Sequence, residues 1–399
     1  MRIFTRDVIN MAVKTNYNKN GTNYFRVSAV LGTDSKGKRI LKEFYGKSKS
    51  DAEEKKREYL EGIKNGLNID TKRVLLGELI HTWLFETIRV SDRIKPTTFE
   101  KYEGLYRNYV KDSPLYSIKL SELKALQVQR YYNGLSDLGK SRNLIENLNK
   151  LLKQFFNYAV DEGYLSKNPC LGKKIVIPGE KKPRKEVQHF SDEEIEILVS
   201  NLKDNRYREL ILLSLGTGLR RGELLALTWE DIDLKNKIVK VNKSLAKVYI
   251  IAGDGSKERK QIIQVPKTRG SIREVSFPDN LTSIFKDIKI KQRRDRLKCG
   301  ESYEVSDYVF TTSSGSLIDV TNLSHAWEHL LKKCKLPHKK FHALRHTFAT
   351  KLFENEVALK TVSELLGHSS IDMTANTYTH VIPKQKSDAV EKLNYIFNL

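Results

Sequence analysis

The chain has 399 residues, with 71 Lys and Arg against 49 Asp and Glu, so its formal net charge is +22. That excess points to a polyanionic partner, while 39% apolar content fills ordinary cores and excludes a disordered chain. At this length two or three domains are expected, at roughly 100 to 200 residues each. Nowhere does the sequence run 18 apolar residues together, and Arg6, Asp7, Asn10 and Lys14 interrupt the opening MRIFTRDVINMAVK, which argues against membrane insertion and secretion. Cys170, Cys299 and Cys334 make no CxxC pair, which argues against a disulfide framework or a cysteine zinc site and fits a reducing, cytoplasmic setting.

Residues 22–31 (TNYFRVSAVL) and 38–45 (KRILKEFY) read as two β-runs around the polar turn Gly32 to Gly37, and Ser50-Asp51 opens a charged helix to about Lys64. Lys36, Lys38, Arg39, Lys42 and Lys47 lie near that hairpin. Strands can dock in a DNA groove, so this basic unit of about 70 residues suits one; a solvated hairpin face explains the charges equally simply. From Leu75 to Tyr164 the pattern is helical. Phe99, Tyr102, Tyr106 and Tyr109 recur at helical spacing, and Ser141 caps a segment whose Leu144, Leu148, Leu151, Leu152, Phe155, Phe156 and Ala159 form one apolar stripe. Amphipathic burial accounts for these aromatics without base stacking. The cations Lys101, Arg107, Lys111, Lys140, Arg142 and Lys153 either track phosphates or are simply solvated. Residues 173–187 combine Pro178, Gly179 and Pro183 with Lys173, Lys174, Lys181, Lys182, Arg184 and Lys185 against Glu180 and Glu186, which marks a basic linker. Beyond it, Ser191 and Glu194 have capping-box spacing, and a β-rich insert runs from about Lys237 to Phe277 in an otherwise helical region.

Three strings mislead. GLSDLGKS at 134–141 matches the phosphate-loop pattern GxxxxGK[ST], but a helix-like stretch precedes it where a strand is required, so Gly139-Lys140-Ser141 reads as a helix stop and an N-cap. His325, Glu328 and His329 in HAWEH fit the HxxEH zinc pattern. A helix that buries Trp327 and leaves the histidines at the surface is the simpler account. GTGLRRG at 216–222 is not GxGxxG, so no dinucleotide fingerprint exists.

The C-terminal half gathers residues whose types make sense together. After the apolar ELILLSLGTG, Gly216 and Gly218 form a turn that delivers Arg220, and Glu223 lies one helical turn on, where a carboxylate can hold a guanidinium. His342 and Arg345 are three apart on one helical face. His368 follows Gly367 at a helix end, and Tyr378 comes ten residues later. Two Arg, two His and one Tyr suffice for in-line attack on a phosphodiester: the guanidiniums neutralise the non-bridging oxygens, and the phenol is the nucleophile once cations or a base take up its proton. Lys267, in VPKTRG at a strand end, is the flexible donor for the leaving oxygen.

The segments TGLRRGELLALTWEDID, PKTRGSIREV, HALRHTFAT and LGHSSIDMTANTYTHV resemble the tyrosine recombinases, or phage integrase family, in that family's order. The resemblance implies a mainly α fold with small β-sheets: an N-terminal three-stranded sheet plus helix binding arm sites (1–70), a helical core-binding domain (71–175), the basic linker (176–188) and a mixed, mostly helical catalytic domain (189–399). It implies that Arg220, Lys267, His342, Arg345, His368 and Tyr378 fill the six active-site places, with Glu223 in support. By the same motifs Arg221, His346 and His380 are neighbours rather than members. Tyr308 precedes HALRH and Tyr395 lies too near the end, so Tyr378 is the nucleophile, although its interval from His368 is one residue longer than in many members. Implied too are a 3′-phosphotyrosyl intermediate, double-stranded DNA with core and arm sites, a homo-tetramer on DNA, a host bending factor and an excisionase, and a bacterial cytoplasmic setting; neither ATP nor a metal is required, because one phosphoester replaces another. DNA-contact candidates are Lys38, Arg39, Lys42, Lys140, Arg142, Lys181, Lys182 and Arg184. The apolar face of Ala389, Val390, Leu393, Ile396 and Phe397 is expected to dock on a neighbouring protomer or on its own domain. A mobile-element integrase is the leading expectation; the alternatives are a cellular Xer-like recombinase and a DNA-binding regulator without catalysis.

Overall fold

The structure is a computed structural model that describes residues 17–19, 22–33, 39–64, 74–172, 174–181, 187–266 and 272–378. The chain divides into two compact units, Met1–Lys181 and Lys182–Leu399.

In the first unit, β1 (Tyr17–Lys19), β2 (Thr22–Thr33) and β3 (Arg39–Gly46) form an antiparallel meander, with β2 and β3 paired from Phe25↔Gly46 to Thr33↔Arg39 through a bulge between Val30 and Gly32. Helix α1 (Lys49–Lys64) covers it, burying Ala52 and setting Tyr59 edge-on to Phe44 at 5.0 Å. Its cap differs from the expected Ser50. Ser48 Oγ accepts from the Asp51 amide at 3.0 Å while Asp51 accepts from the Lys47 amide at 2.9 Å, so the capping pair sits two residues earlier.

The helical bundle contains α2 (Leu76–Thr82), which continues as a π-helical turn over Trp83–Ile88, then α3 (Pro96–Tyr109), α4 (Ala125–Asp137) and α5 (Arg142–Asp161). Ser141 caps α5 as expected, accepting from the Leu144 amide at 3.3 Å. The buried stripe is Ile145, Leu148, Leu151, Leu152, Phe155, Phe156 and Ala159; Leu144 is only half-buried, because the 3.6-residue period places Ile145 on the core face instead. Phe99 and Tyr106 are core, whereas Tyr102 and Tyr109 are half-buried. The GLSDLGKS string joins two helices, with Gly139 at φ +72° stopping α4, so the strand a phosphate loop needs does not precede it.

The second unit opens with α6 (Asp192–Ser200), whose Ser191–Glu194 capping box is formed, followed by α7 (Arg208–Thr217) and the short α8 (Arg221–Ala226). Strands β4 (Ile232–Asp233), β5 (Ile238–Val241) and β8 (Arg273–Ser276) make one antiparallel sheet, and β6 (Ser244–Ile251) with β7 (Lys257–Gln264) makes a hairpin. These strands account for the expected β-rich insert. Helices α9 (Asn280–Cys299), α10 (Val320–Lys333), α11 (Ala343–Glu354), α12 (Leu359–Leu366) and α13 (Ile371–Thr377) complete the unit. Leu210, Leu224, Val239, Val275, Phe285 and Trp327 lie in one apolar cluster, which holds α7, α8, the sheet, α9 and α10 together. Trp327 is buried and donates to the Lys339 carbonyl at 2.8 Å, while His325, Glu328 and His329 face solvent, so HAWEH is an amphipathic helix face. Among the described residues, no helix is long and apolar enough to cross a membrane.

Candidate active site

Helix ends position the candidate residues. Gly218 closes α7 at φ +63°, and a Cβ there would lie 2.3 Å from the Phe348 ring on α11, so only glycine lets α7 and α11 approach this closely. Two residues on, Arg220 is the N-cap residue of α8. Its amide donates to Glu223 Oε2 at 2.9 Å and its Nη1 to Oε1 at 2.8 Å. His342 and Arg345 sit at the start of α11, His368 follows the Gly367 that ends α12 at φ +63°, and Tyr378 ends α13.

Three arginines converge on the last turn of α12. Arg273 Nε donates to the Leu365 carbonyl at 2.9 Å, Arg345 Nη2 to the Leu366 carbonyl, and Arg220 Nη2 to the Gly367 carbonyl at 3.2 Å. These carbonyls lack intrahelical donors and carry the negative end of the helix dipole, so cations suit them. Arg345, only 2% exposed, also donates to the Gly218 carbonyl at 2.8 Å and thereby ties the α7–α8 turn to the end of α12. Burial, then the charge of Arg220, pulls its pKa down to about 9, which still leaves it charged at neutral pH. Arg220 is more open, with its side chain 39% exposed. Glu223 is buried; although burial alone raises its pKa, Arg273 and Arg220 overcome that and lower it to about 2.

The histidines are neutral at pH 7. Loss of hydration, then the charges of Arg345 and Arg220, lowers His342 and His368 to about 4 each, although His342 stays open to solvent on one side. His368 Nδ1 lies 2.7 Å from the buried Thr374 hydroxyl, which fixes its ring. Tyr378 is fully buried beside Ala349, Phe353, Val362 and Leu366, and burial pushes its phenol up to about 12 against the opposing pull of Arg345. Its hydroxyl lies 2.9 Å from His346 Nδ1. Burial, followed by His342, Arg345, His368 and His189, holds His346 at about 3, so its ring is a neutral hydrogen-bonding partner.

The structure therefore brings together Arg220, Glu223, His342, Arg345, His368 and Tyr378. Lys267 lies outside the described residues, as does the segment of Ala389 to Phe397. Two further residues lie in this cluster: His346, which the sequence motifs set aside as a neighbour, and Arg273, which sequence reasoning did not single out. His346 lies four residues after His342, and hence on the same helical face, with the rings edge-to-face at 4.7 Å. Arg273 shares a strand face with the buried Val275, so period-two alternation turns it inward.

Of the DNA-contact candidates, Lys42, Lys140 and Lys181 are exposed, the side chain of Arg39 is not described, and Lys38, Lys182 and Arg184 lie outside the described residues. Arg142 is engaged internally. It donates to the Ile177 and Gly179 carbonyls at 2.6 and 2.9 Å and pairs with Glu146 at 3.0 Å, while Gln129 exchanges two bonds with Val176, so the first half of the basic linker is fastened to α4 and α5. An open groove of about 410 Å³ between α3 and α5 is lined by Lys101, Lys150 and Lys153 with Tyr102 and Asn147. No group of three or more His, Cys, Asp or Glu that could hold a metal occurs among the described residues.

Residues 188–385 match the model of the phage integrase family, and residues 75–136 match the N-terminal SAM-like domain of phage integrases. A relative from Caldanaerobacter subterraneus subsp. tengcongensis described as tyrosine recombinase XerC-like is 56% identical over 97% of this chain and 100% of its own. The integrase of Staphylococcus phage L54a is 26% identical over 84% of this chain and 96% of its own. The transposase of transposon Tn916 from Enterococcus faecalis is 26% identical over 86% and 82%. Among solved structures, the Tn1549 transposon integrase in complex with transposon right end DNA aligns with a TM-score of 0.63 at 22% identity, covering 80% of this chain and 100% of that one.

Proposed function

The chain belongs to the phage integrase family of tyrosine recombinases and cuts and rejoins DNA at specific sites; from that premise we propose that Tyr378 is its nucleophile and that it integrates and excises a mobile element. The observation that carries the site reading is the arginine cluster on the end of α12, which places two guanidiniums beside His342 and His368. A scissile phosphate held by Arg220 and Arg345 has its non-bridging oxygens neutralised as charge builds in the pentacovalent state. His368 adds a hydrogen bond, and neutral His342 binds the phosphate or passes a proton. Tyr378 Oη gives its proton to neutral His342 or to solvent and forms the bond to phosphorus as the bond to the 5′-oxygen breaks, and Lys267 protonates that oxygen. A 5′-hydroxyl of a second duplex reverses the step, so the phosphoester is conserved and the exchange requires neither ATP nor a metal.

The basic groove between α3 and α5 suits a DNA backbone, and the sheet unit at 17–64 suits a second class of site, the arm sites. Exchange between two duplexes needs several active sites, which favours a homo-tetramer on DNA; a host bending factor and an excisionase would set direction. The sheet unit and the likeness to a phage integrase and a transposon transposase favour a mobile element. A cellular Xer-like role is the second reading, favoured by the description of the 56% identical relative.

Covalent capture tests the chemistry. Wild type and Tyr378→Phe are incubated with fragments tiling the DNA beside the gene, without metal or ATP, and denatured. A protein–DNA adduct with wild type alone is expected; an adduct that persists in Tyr378→Phe would move the nucleophile elsewhere. Removing the first 70 residues should abolish binding to a second sequence class while leaving cleavage of short core-site DNA, and loss of that cleavage would contradict this division between arm and core binding.

A further inference from the structure

Glu223 has a problem that its partnership with Arg220 does not solve. Its carboxylate fixes the Arg220 guanidinium through Oε1 and the backbone through Oε2, but a carboxylate paired with one guanidinium sums to zero charge. An orienting partner of that kind would remove the positive charge that a phosphate needs. Arg273 answers this. Its Nη2 donates to Glu223 Oε2 at 2.8 Å and its Nη1 to Oε1 at 3.2 Å, and its side chain is 7% exposed, against 39% for Arg220. Four N–H groups therefore occupy the two carboxylate oxygens. The buried fork of Arg273 spans both carboxylate oxygens, whereas Arg220, the more exposed of the two, gives them only Nη1 and its amide and turns Nη2 to the Gly367 carbonyl.

We infer that Arg273 is a positioning residue that supplies the counter-charge of Glu223, so that Glu223 orients Arg220 without cancelling its charge toward the DNA phosphate. Two guanidiniums and one carboxylate leave one net positive charge, carried by the exposed member. Nε, Nη1 and Nη2 of Arg273 are all engaged by Leu365 and Glu223, which leaves the more exposed Arg220 as the member of the pair open to a phosphate. Its position is fixed from three sides: β8 pairs Arg273 with Val241, the Leu365 carbonyl holds Nε, and a Cβ on Gly367 would lie 2.8 Å from Arg273 Cδ. A lysine would keep the charge, but its three donors sit on one nitrogen and cannot span both carboxylate oxygens and the Leu365 carbonyl as the planar guanidinium does. This role rests on the reading of Arg220 as a phosphate ligand.

The experiment compares full-length wild type, Arg273→Gln, Glu223→Gln and the double variant on the fragment that gives the adduct. Adduct formation at saturating DNA, DNA affinity and the urea midpoint are each measured across pH. Arg273→Gln should slow adduct formation by roughly tenfold to a hundredfold with affinity within about threefold, since the charge acts on the transition state more than on the whole bound duplex. Adding Glu223→Gln should then raise the rate above that of Arg273→Gln alone, because the uncompensated carboxylate is gone. The ratio of Arg273→Gln to wild-type rate should rise as pH falls, for protonating Glu223 has the same effect. A double variant no faster than Arg273→Gln, together with a ratio flat in pH, would overturn the inference and leave Arg273 as packing. Should Arg273→Gln fail to fold, a double variant that folds and cleaves supports the inference, and one that does neither overturns it. No adduct from wild type would overturn the nucleophile reading and this one with it, whereas a wild-type adduct formed equally fast by Arg273→Gln overturns this one alone.

Discussion

Two glycine turns in this molecule look alike as strings and differ in what they touch. At Gly139 and at Gly218 a helix stops in the left-handed region, φ +72° and +63°, a basic residue follows within two positions, and a new helix starts. Around Gly139 nothing lies within 4 Å of the position a Cβ would take, whereas at Gly218 that position is 2.3 Å from the Phe348 ring. The Gly218 carbonyl also accepts from buried Arg345. The first turn is a connection that could be built many ways. The second is a joint that brings α7 and α11 together and so aligns Arg220 with Arg345. A pattern match to the first string therefore brings no long-range partners with it, while the second string, which fails the dinucleotide pattern, joins Arg220 to the buried Arg345.

The largest effect should come from breaking the joint. Gly218→Ala combines left-handed strain with overpacking against Phe348 and should cost about 3 kcal/mol or more, read as a lowered urea midpoint, with adduct formation lost in parallel. A cost equal to that of Gly139→Ala would show that the contact with Phe348 relaxes freely. Next comes acidity, which should affect only the side of the molecule that holds the buried imidazoles. His346 has its pKa at about 3, below its ordinary value of 6.5, so the stability it contributes is complete above about pH 6.5 and lost as pH falls toward 3. Between about pH 7 and 5 that loss should reach roughly 1 to 2 kcal/mol, and His346→Gln should flatten the dependence of the urea midpoint on pH over this range. Unchanged slopes in the variant would mean that His346 titrates normally. Smallest are the changes at the open turn: Gly139→Ala should cost about 1 kcal/mol from backbone strain, and Ser141→Ala about 1 kcal/mol from the lost cap. Neither should alter adduct formation, and ATP should shift the midpoint of neither.

How much of this was legible depended on how far apart the partners lie in sequence. The Ser141 and Ser191 caps, the stop at Gly367 and the amphipathic HAWEH helix follow from residues within one or two turns of each other, and sequence patterns record that range well. Capping Ser48 in place of Ser50, and buried Ile145 in place of Leu144, are errors of phase within elements correctly placed. The partnerships that define the site span much greater distances. Glu223 and Arg273 are fifty positions apart, and His346 and Tyr378 thirty-two, so no local period links them. Arg142 shows the same limit from the other side: as a string it belongs to a basic surface, yet carbonyls 35 and 37 residues on take up its guanidinium.

Tyr378 has no exposed surface, and its hydroxyl lies on a neutral imidazole. A hydroxyl in that position is out of reach of a passing duplex, however strongly the +22 charge promotes the encounter. With Tyr378 as the proposed nucleophile, cutting waits for a departure of the tyrosine from its pocket, and the apparent rate is the intrinsic rate multiplied by the fraction of time it is out. On that reading the protein can bind DNA and leave it uncut. Its selectivity is then decided twice, once by which sequence is bound and once by which bound complex draws the tyrosine out.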